Sequence, residues 1–172
     1  MRSILVAGAA ALPLALAACS SSGAATSQAA HHTSRAASPA RLPVQPSAGP
    51  AAQAAVTSTW LKFFDGTVPI PRRIVLLQNG QKFASFVNSQ AKTSLGALVL
   101  QASAKVSAVT LVPPDQASVT YTILLGGKPL AKNLNGTAVY TGGSWQISTT
   151  TFCGLLHVAY SSKPSLIPAV CG

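Results

Sequence analysis

The sequence contains very few acidic residues: Asp65 and Asp115 are its only carboxylate side chains, against twelve lysines and arginines in 172 residues. Paired carboxylates for general acid–base catalysis are therefore missing, and no Ser-His-Asp combination is visible. Asp65 follows a predicted helix and Asp115 follows two prolines, which are typical positions of turn residues. His157 lies near a predicted helix end, where a structural role is the simpler interpretation. We expect a non-enzymatic protein without a cofactor.

Cysteine and long apolar runs are scarce as well. The three cysteines, Cys19, Cys153 and Cys171, form no CxxC pair, so a zinc or redox site has little support and no metal site is expected. Residues 4–16 form an apolar stretch of 13 residues after Arg2. This stretch is short for a bilayer-spanning helix and typical of the apolar part of a signal peptide.

The residues Leu16-Ala17-Ala18-Cys19 close this stretch. They resemble the lipobox of bacterial lipoproteins. The resemblance implies cleavage before Cys19, a diacylglycerol on its sulfur, and an anchor on the extracytoplasmic face of the cell membrane, since two or more acyl chains anchor stably. We expect residues 1–18 to be a lipoprotein signal peptide. An ordinary secretory signal, cleaved at a small-residue site, is the alternative.

The remaining chain divides by composition. Residues 19–50 are rich in Ala, Ser and Pro and poor in large apolar side chains, which predicts a disordered tether. Residues 51–172 are long enough for one domain with its own core. If Cys19 carries lipid, Cys153 and Cys171 remain as a pair in an exported domain, and a disulfide between them is expected. Two free thiols are the alternative.

The domain is strongly basic. Without Arg2, Arg35 and Arg41 it keeps nine basic residues against two acidic ones, a net charge of +7. Such a balance usually points to nucleic acid, but the export signal and the dispersed basic residues argue against that partner. Anionic lipid or an anionic cell-wall polymer is the more natural partner. A solvated surface without a partner is the alternative.

Helices are predicted in the first half of the domain. Over residues 51–64, Val56 and Trp60 begin an apolar stripe that continues at helical spacing. Two shorter helical pieces are predicted over residues 72–77 and 81–91. Each of these helices is marginal alone and needs a packing surface.

Strands are predicted in the second half, because the apolar period changes to two. Gly136 is interpreted as a turn residue, and Gly142-Gly143 as a hairpin loop. Helices followed by an antiparallel meander give an α+β fold. The predicted strands are residues 105–112, 117–125, 137–141 and 144–149, with a less regular stretch over residues 128–135 and a short final helix over residues 152–157.

Four stretches of the domain are distinctive: Gln78-Asn79-Gly80, Val-Thr-Tyr-Thr at 119–122, the hairpin at 136–148, and Thr-Phe-Cys-Gly-Leu-Leu at 151–156. Their order resembles the C-terminal domain of the mycobacterial low-molecular-weight secreted antigen family and related actinobacterial lipoproteins, over roughly residues 52–160. The resemblance implies a nuclear transport factor 2-like cone, with three helices packed into a curved antiparallel sheet. It supplies no catalytic residues.

A cone of this type can enclose a cavity, and Trp60, Tyr121 and Trp145 are candidates to line it or to form a binding patch. A core position is the alternative for each. We expect a lipid-anchored, non-enzymatic module that binds a small apolar ligand, an anionic cell-wall polymer or a protein partner, and no nucleic acid. The alternatives are an enzyme with Asp65 or His157 as general base on a small apolar substrate, and a structural or antigenic surface spacer.

Overall fold

A computed structural model describes residues 44–99 and 101–172. The predicted signal peptide, the lipobox with Cys19 and most of the predicted tether lie outside the described residues. The described residues belong to one compact unit, and the fragment from Ala37 to Gly172 that contains them is here called the isolated domain. Because its sheet and its core lie within the described residues, we expect this fragment to fold on its own. No helix in this described part combines the length and the apolar character that a bilayer crossing requires.

The described residues form an α+β fold, as the sequence predicts: helices pack against an open, four-stranded antiparallel sheet. Short 3₁₀ turns lie at Gly80–Phe83, Pro164–Leu166 and Ala169–Cys171. The helices are α1 (Gly49–Phe63), α2 (Ile70–Ile74), α3 (Ala84–Gln90), α4 (Ser94–Val99) and α5 (Thr149–Ala159), and the strands are β1 (Ala102–Val112), β2 (Gln116–Leu125), β3 (Lys128–Thr141) and β4 (Ser144–Ile147).

The sheet is a simple meander in the order β1-β2-β3-β4, with every neighbouring pair antiparallel. The predicted hairpin at Gly142-Gly143 joins β3 to β4, and its two residues have φ angles of 58° and 80°. A two-residue loop of this kind needs positive φ at both positions, which glycine adopts without steric cost. The sequence therefore identifies this turn correctly.

The core lies between α1 and the sheet. Val56 and Trp60 of α1 are fully buried, and the Trp60 ring meets the Tyr121 ring of β2 edge-on, with centroids 5.3 Å apart. Burial of side chains of this size stabilises the fold by about 1.5–3 kcal/mol each. Thr59 also donates a buried hydrogen bond to the carbonyl oxygen of Trp145, so α1 is fixed to β4 as well.

Strand β3 differs from the prediction, because it runs unbroken through Gly136. The predicted turn at this residue is wrong: Gly136 lies within the strand, opposite Val119 of β2. A Cβ at position 136 would lie 2.8 Å from Trp60 Cζ2 and 2.8 Å from Thr151 Cγ2. Glycine is therefore present for close packing and not for a turn.

Strand β1 contains a bulge that the sequence did not reveal. Val106 pairs with Tyr121, but Ala108 pairs with Thr120, so two residues of β1 face one of β2. The Ser107 hydroxyl donates to the carbonyl oxygen of Thr120 at 3.0 Å. The extra residue shifts the inward-facing side chains from even to odd positions, since successive strand residues face opposite sides.

The domain begins earlier than the predicted boundary at Ala51. The backbone N–H of Gln45 donates to the carbonyl oxygen of Gly143 at 2.7 Å, and the Gln45 side chain accepts from the backbone N–H of Trp145 at 2.9 Å. The Trp145 indole donates to the carbonyl oxygen of Pro46 at 2.8 Å. The last residues of the predicted tether therefore belong to the domain and cover Trp145.

Two further segments differ from the prediction. Helix α2 ends at Ile74, and the residues after it run beside β4, where Leu77 and Ile147 form a parallel bridge. The backbone N–H of Gln78 donates to the carbonyl oxygen of Ile147 at 2.9 Å. Helix α4 has no counterpart among the predicted helices. The predicted final helix at 152–157 is present as the longer α5.

A disulfide bond joins Cys153 of α5 to Cys171 in the last 3₁₀ turn. The two Cα atoms are 5.4 Å apart and the cysteines are 18 positions apart in the sequence. This distance is within the usual range for a disulfide and agrees with the predicted pair. The bond fixes the C-terminal segment to α5.

Candidate functional site

The candidate site exists because β4 is short. β4 pairs with β3 only from Ala138 to Thr141. On the other side of β3, β2 pairs with it from Lys128 to Val139. The outer edge of β3 before Ala138 is therefore not covered by a strand. The chain instead turns into α5, which lies beside this edge.

Two hydroxyl side chains join the start of α5 to β3. Ser148 is the N-cap residue, and its side chain accepts from the backbone N–H of Thr151 at 3.1 Å. The Thr151 hydroxyl accepts from the backbone N–H of Thr137 at 2.7 Å and donates back to the Thr137 carbonyl oxygen at 3.3 Å. This reciprocal pair fixes α5 at one distance from the strand.

Beyond this junction a groove of about 360 Å³ opens between α5, β3 and β2. Among the described residues, its walls are formed by hydroxyl, amide and aliphatic groups and the Tyr121 ring, and no lysine, arginine, histidine or carboxylate of this part of the chain lines it. We call it the α5–β3 groove. The residues that line it are Ser118, Tyr121, Leu134, Asn135, Gly136, Thr137, Thr150, Thr151, Gly154, Leu155 and Val158.

Two glycines shape the groove in opposite ways. Gly136 allows β3 to lie directly against the Trp60 ring, since no Cβ would fit there. Gly154 faces open space: a Cβ at this position would meet nothing within 4 Å. The groove is therefore closely packed below Gly136 and open beside Gly154.

One aromatic side chain, Tyr121, lines the base of the groove, and a second, Trp60, lies behind Gly136 without lining it. Tyr121 is only 1% exposed, and burial raises the pKa of its hydroxyl to about 12. Trp60 is fully buried beside Tyr121, and its indole nitrogen finds no hydrogen-bond partner in the part of the chain that the structure describes. Such an unpaired buried donor is uncommon in folded proteins and costs stability.

The three predicted aromatic residues share one hydrophobic core, but only Tyr121 lines the α5–β3 groove. The Trp60 ring contacts Tyr121, whereas Trp145 has a different aromatic neighbour. Its ring contacts Tyr140, with centroids 5.3 Å apart, and lies beneath Pro46. All three side chains are at most 1% exposed, so none of them forms an exposed aromatic patch.

The candidate general bases lie outside this groove. Asp65 accepts from both the hydroxyl and the backbone N–H of Thr67, at 2.7 and 2.8 Å, and these bonds lower the pKa of its carboxyl group. Asp115 lies in the turn between β1 and β2. His157 is exposed in the last turn of α5 and borders a second groove of about 390 Å³ near the disulfide.

Within residues 44–99 and 101–172, no group of three or more His, Cys, Asp or Glu side chains is placed to hold a metal ion. The sequence does not identify Thr137 and Thr151 as residues of the site, because threonine is common in strands and at helix starts. Their hydrogen bonds between α5 and β3 are explained only by the structure, in which β4 ends after four residues.

Comparison with known proteins assigns this domain to a family. No curated protein matches the chain. The family model described as the low molecular weight antigen MTB12, C-terminal domain, matches residues 48–163, which is more than half of the sequence and includes α1, the whole sheet and α5. The chain therefore belongs to the family of the low molecular weight antigen MTB12 C-terminal domain.

Proposed function

We propose that this protein is a lipid-anchored, extracytoplasmic binding module without catalytic activity, and that it binds a small uncharged ligand in the α5–β3 groove. Membership in the antigen family indicates a secreted antigen-like module. The lipid anchor on Cys19 and the nuclear transport factor 2-like cone are parts of this proposal that come from the sequence resemblances. The groove with Tyr121 at its base is the observation that supports ligand binding.

The chemistry of the groove favours an uncharged ligand. Leu134, Leu155 and Val158 provide apolar contacts, and Thr150 and Ser118 provide hydroxyl groups at the rim. A charged ligand would leave water without gaining an ion pair, because none of the described residues that line the walls is ionisable except the neutral Tyr121 phenol. A mostly apolar molecule with a few hydroxyl or carbonyl groups matches this lining.

Binding without catalysis is supported by the position of Asp65 and His157 outside the groove and by the state of the Asp65 carboxyl group. A general base in an apolar pocket needs a raised carboxyl pKa, whereas the hydrogen bonds from Thr67 lower that of Asp65. The alternative enzyme, with Asp65 or His157 as the base, would lose turnover in the Asp65→Asn or the His157→Ala variant. The surface-spacer alternative requires no ligand in the groove.

Native mass spectrometry of the isolated domain, purified from its own cells, tests the ligand. We expect a small-molecule adduct on the wild type and on Gly154→Ala, and no adduct on Gly154→Leu, whose larger side chain would enter the open part of the groove. An adduct that persists in Gly154→Leu would place the ligand elsewhere. No adduct on any variant would favour the spacer.

The anchor needs a separate test on the full chain. Mass spectrometry of the mature N-terminus should show a lipid-modified Cys19 that is absent from a Cys19→Ala variant. An unmodified peptide that begins at another residue would refute the anchor. That result would leave the ligand proposal standing, since the groove lies wholly within the described residues.

A further inference from the structure

One end of the sheet exposes several large apolar side chains. In α4, Leu95, Leu98 and Val99 are 38%, 45% and 53% exposed, and in β3 Leu130 is 66% exposed. Isolated exposed apolar residues are normal. Here, however, four of the nine large exposed ones in the described residues come from two segments.

The strand pairing brings these two segments to the same end. Helix α4 leads within three residues into β1, whose first residue Ala102 pairs with Leu125 at the end of β2. Leu125 in turn pairs with Lys128, which begins β3 two residues before Leu130. Neighbouring strands lie about 4.8 Å apart and β2 separates β1 from β3, so the starts of β1 and β3 lie roughly 10 Å apart at this end of the sheet.

The same end is basic. Lys92, Lys105, Lys128 and Lys132 are all exposed and lie just before α4, in β1 and at the start of β3. Neither carboxylate belongs to these segments. Asp115 lies in the turn at the opposite end of β2, a ten-residue strand, about 33 Å along that strand from Leu125 and about 23 Å from the level of Lys105.

We propose that this surface, formed by α4, the start of β1 and the start of β3, docks on an anionic lipid bilayer. We call it the basic apolar end. Its lysines would contact lipid phosphates while Leu98, Val99 and Leu130 enter the headgroup region, the arrangement that holds peripheral proteins at membranes. The proposal uses the extracytoplasmic location proposed above, but it requires neither the lipid on Cys19 nor a ligand in the α5–β3 groove.

The charge complementarity favours a bilayer over other occupants. Lysines placed around exposed leucines match a surface that is anionic outside and apolar beneath. An anionic wall polymer would form ion pairs with the lysines but would leave the leucine side chains exposed to water. A second copy of this chain would bring two basic surfaces together, which electrostatic repulsion opposes.

Vesicle flotation of the isolated domain, which lacks Cys19, tests the electrostatic part. The probes are phosphatidylcholine vesicles with and without phosphatidylglycerol, at low and high salt. We expect binding only to the anionic vesicles, and weaker binding at high salt because the charges are screened. Replacing Lys128 and Lys132 by Gln should lower the partition constant about 25-fold, roughly fivefold for each lysine near the membrane surface.

A matched control removes the same charge elsewhere. Arg72 in α2 and Lys82 in the first 3₁₀ turn are exposed and flank the segment that pairs with β4. The Arg72→Gln, Lys82→Gln variant has the same net charge as the Lys128→Gln, Lys132→Gln variant. Equal losses in the two variants would overturn the docking surface, because binding would then depend on total charge alone.

Tryptophan fluorescence tests the apolar part. The native tryptophans Trp60 and Trp145 are at most 1% exposed, so a new exposed tryptophan dominates any change on binding. Leu98→Trp should shift its emission to the blue with anionic vesicles. Val112→Trp is the control: Val112 is also 45% exposed but lies at the other end of β1. Similar shifts at both positions, or binding to isolated wall polymer but not to vesicles, would refute the proposal.

Discussion

Replacing Gly136 by Ala tests the packing beneath the α5–β3 groove directly. The new Cβ would lie 2.8 Å from both Trp60 Cζ2 and Thr151 Cγ2, whereas carbon atoms pack best about 3.5–4.0 Å apart. Trp60 is fully buried and cannot move out into solvent. Over-packing of this kind costs about 1–3 kcal/mol, and the gain of about 0.5–1 kcal/mol from replacing a strand glycine offsets part of it. The midpoints of these two ranges give an expected net loss of about 1 kcal/mol.

Gly154→Ala is the matched control, because it adds the same methyl group to the other side of the same groove. Gly154 lies inside α5 and a Cβ there meets nothing within 4 Å. Alanine is favoured over glycine in a helix interior by about 1 kcal/mol. The control should therefore stabilise the domain while Gly136→Ala destabilises it.

Urea unfolding of the isolated domain, followed by the fluorescence of its buried tryptophans, measures both changes. We expect the two midpoints to move in opposite directions from the wild type. In thermal unfolding each kcal/mol corresponds to about 4 °C for a domain of this size. If Gly136→Ala were as stable as the wild type, the close contact between β3 and Trp60 would be refuted.

Three further predictions concern Tyr121, the disulfide and the first described residues. The raised pKa of Tyr121 favours the folded state below pH 10, and this contribution is lost as the pH rises to about 12. The Tyr121→Phe variant has no phenol to ionise, so between pH 10 and pH 12 its free energy of unfolding should fall by about 3 kcal/mol less than that of the wild type. Urea unfolding at both pH values measures the difference. Replacing Cys153 and Cys171 together by Ser should cost about 3 kcal/mol, since the bond closes a short loop, and a thermal melt measures the loss. A chain that starts at Ala51 should be about 2–4 kcal/mol less stable to urea than the isolated domain, because it loses the hydrogen bonds to Trp145 and its neighbours.

Each of these predictions has a result that would contradict it. An equal loss of stability between pH 10 and pH 12 in Tyr121→Phe would mean that the phenol is not buried. Free thiols in the unreduced wild type would contradict the disulfide. A chain from Ala51 with wild-type stability would mean that Gln45 and Pro46 contribute nothing to the domain.

Local pattern predicts most of the elements in this fold. The stripe of Val56 and Trp60 identifies α1, and the alternation from Val119 to Leu125 identifies β2, because each pattern records burial on one face. Gly142-Gly143 identifies the last hairpin, since few residues accept positive φ in sequence. These features depend only on residues that are close in the sequence.

The features that build the site depend on distant contacts. The sequence alone indicates a turn at Gly136, and only the approach of Trp60, 76 positions earlier, explains why glycine is required within β3. Gln45 lies in a stretch of low-complexity composition, yet its hydrogen bonds to Gly143 and Trp145 span about 100 positions. Composition reports the average tendency of a segment and cannot reveal such individual contacts.

The two proposed surfaces differ in how closely they are linked to stability. The α5–β3 groove shares Thr151 with the junction that holds α5 on β3, so most substitutions there change binding and folding together. Gly154 is an exception, because its Cβ position is empty. At the basic apolar end, Leu98, Leu130 and the four lysines are exposed, and their replacement should leave stability nearly unchanged. Loss of vesicle binding without loss of stability would therefore indicate a contact with the membrane and not a damaged fold.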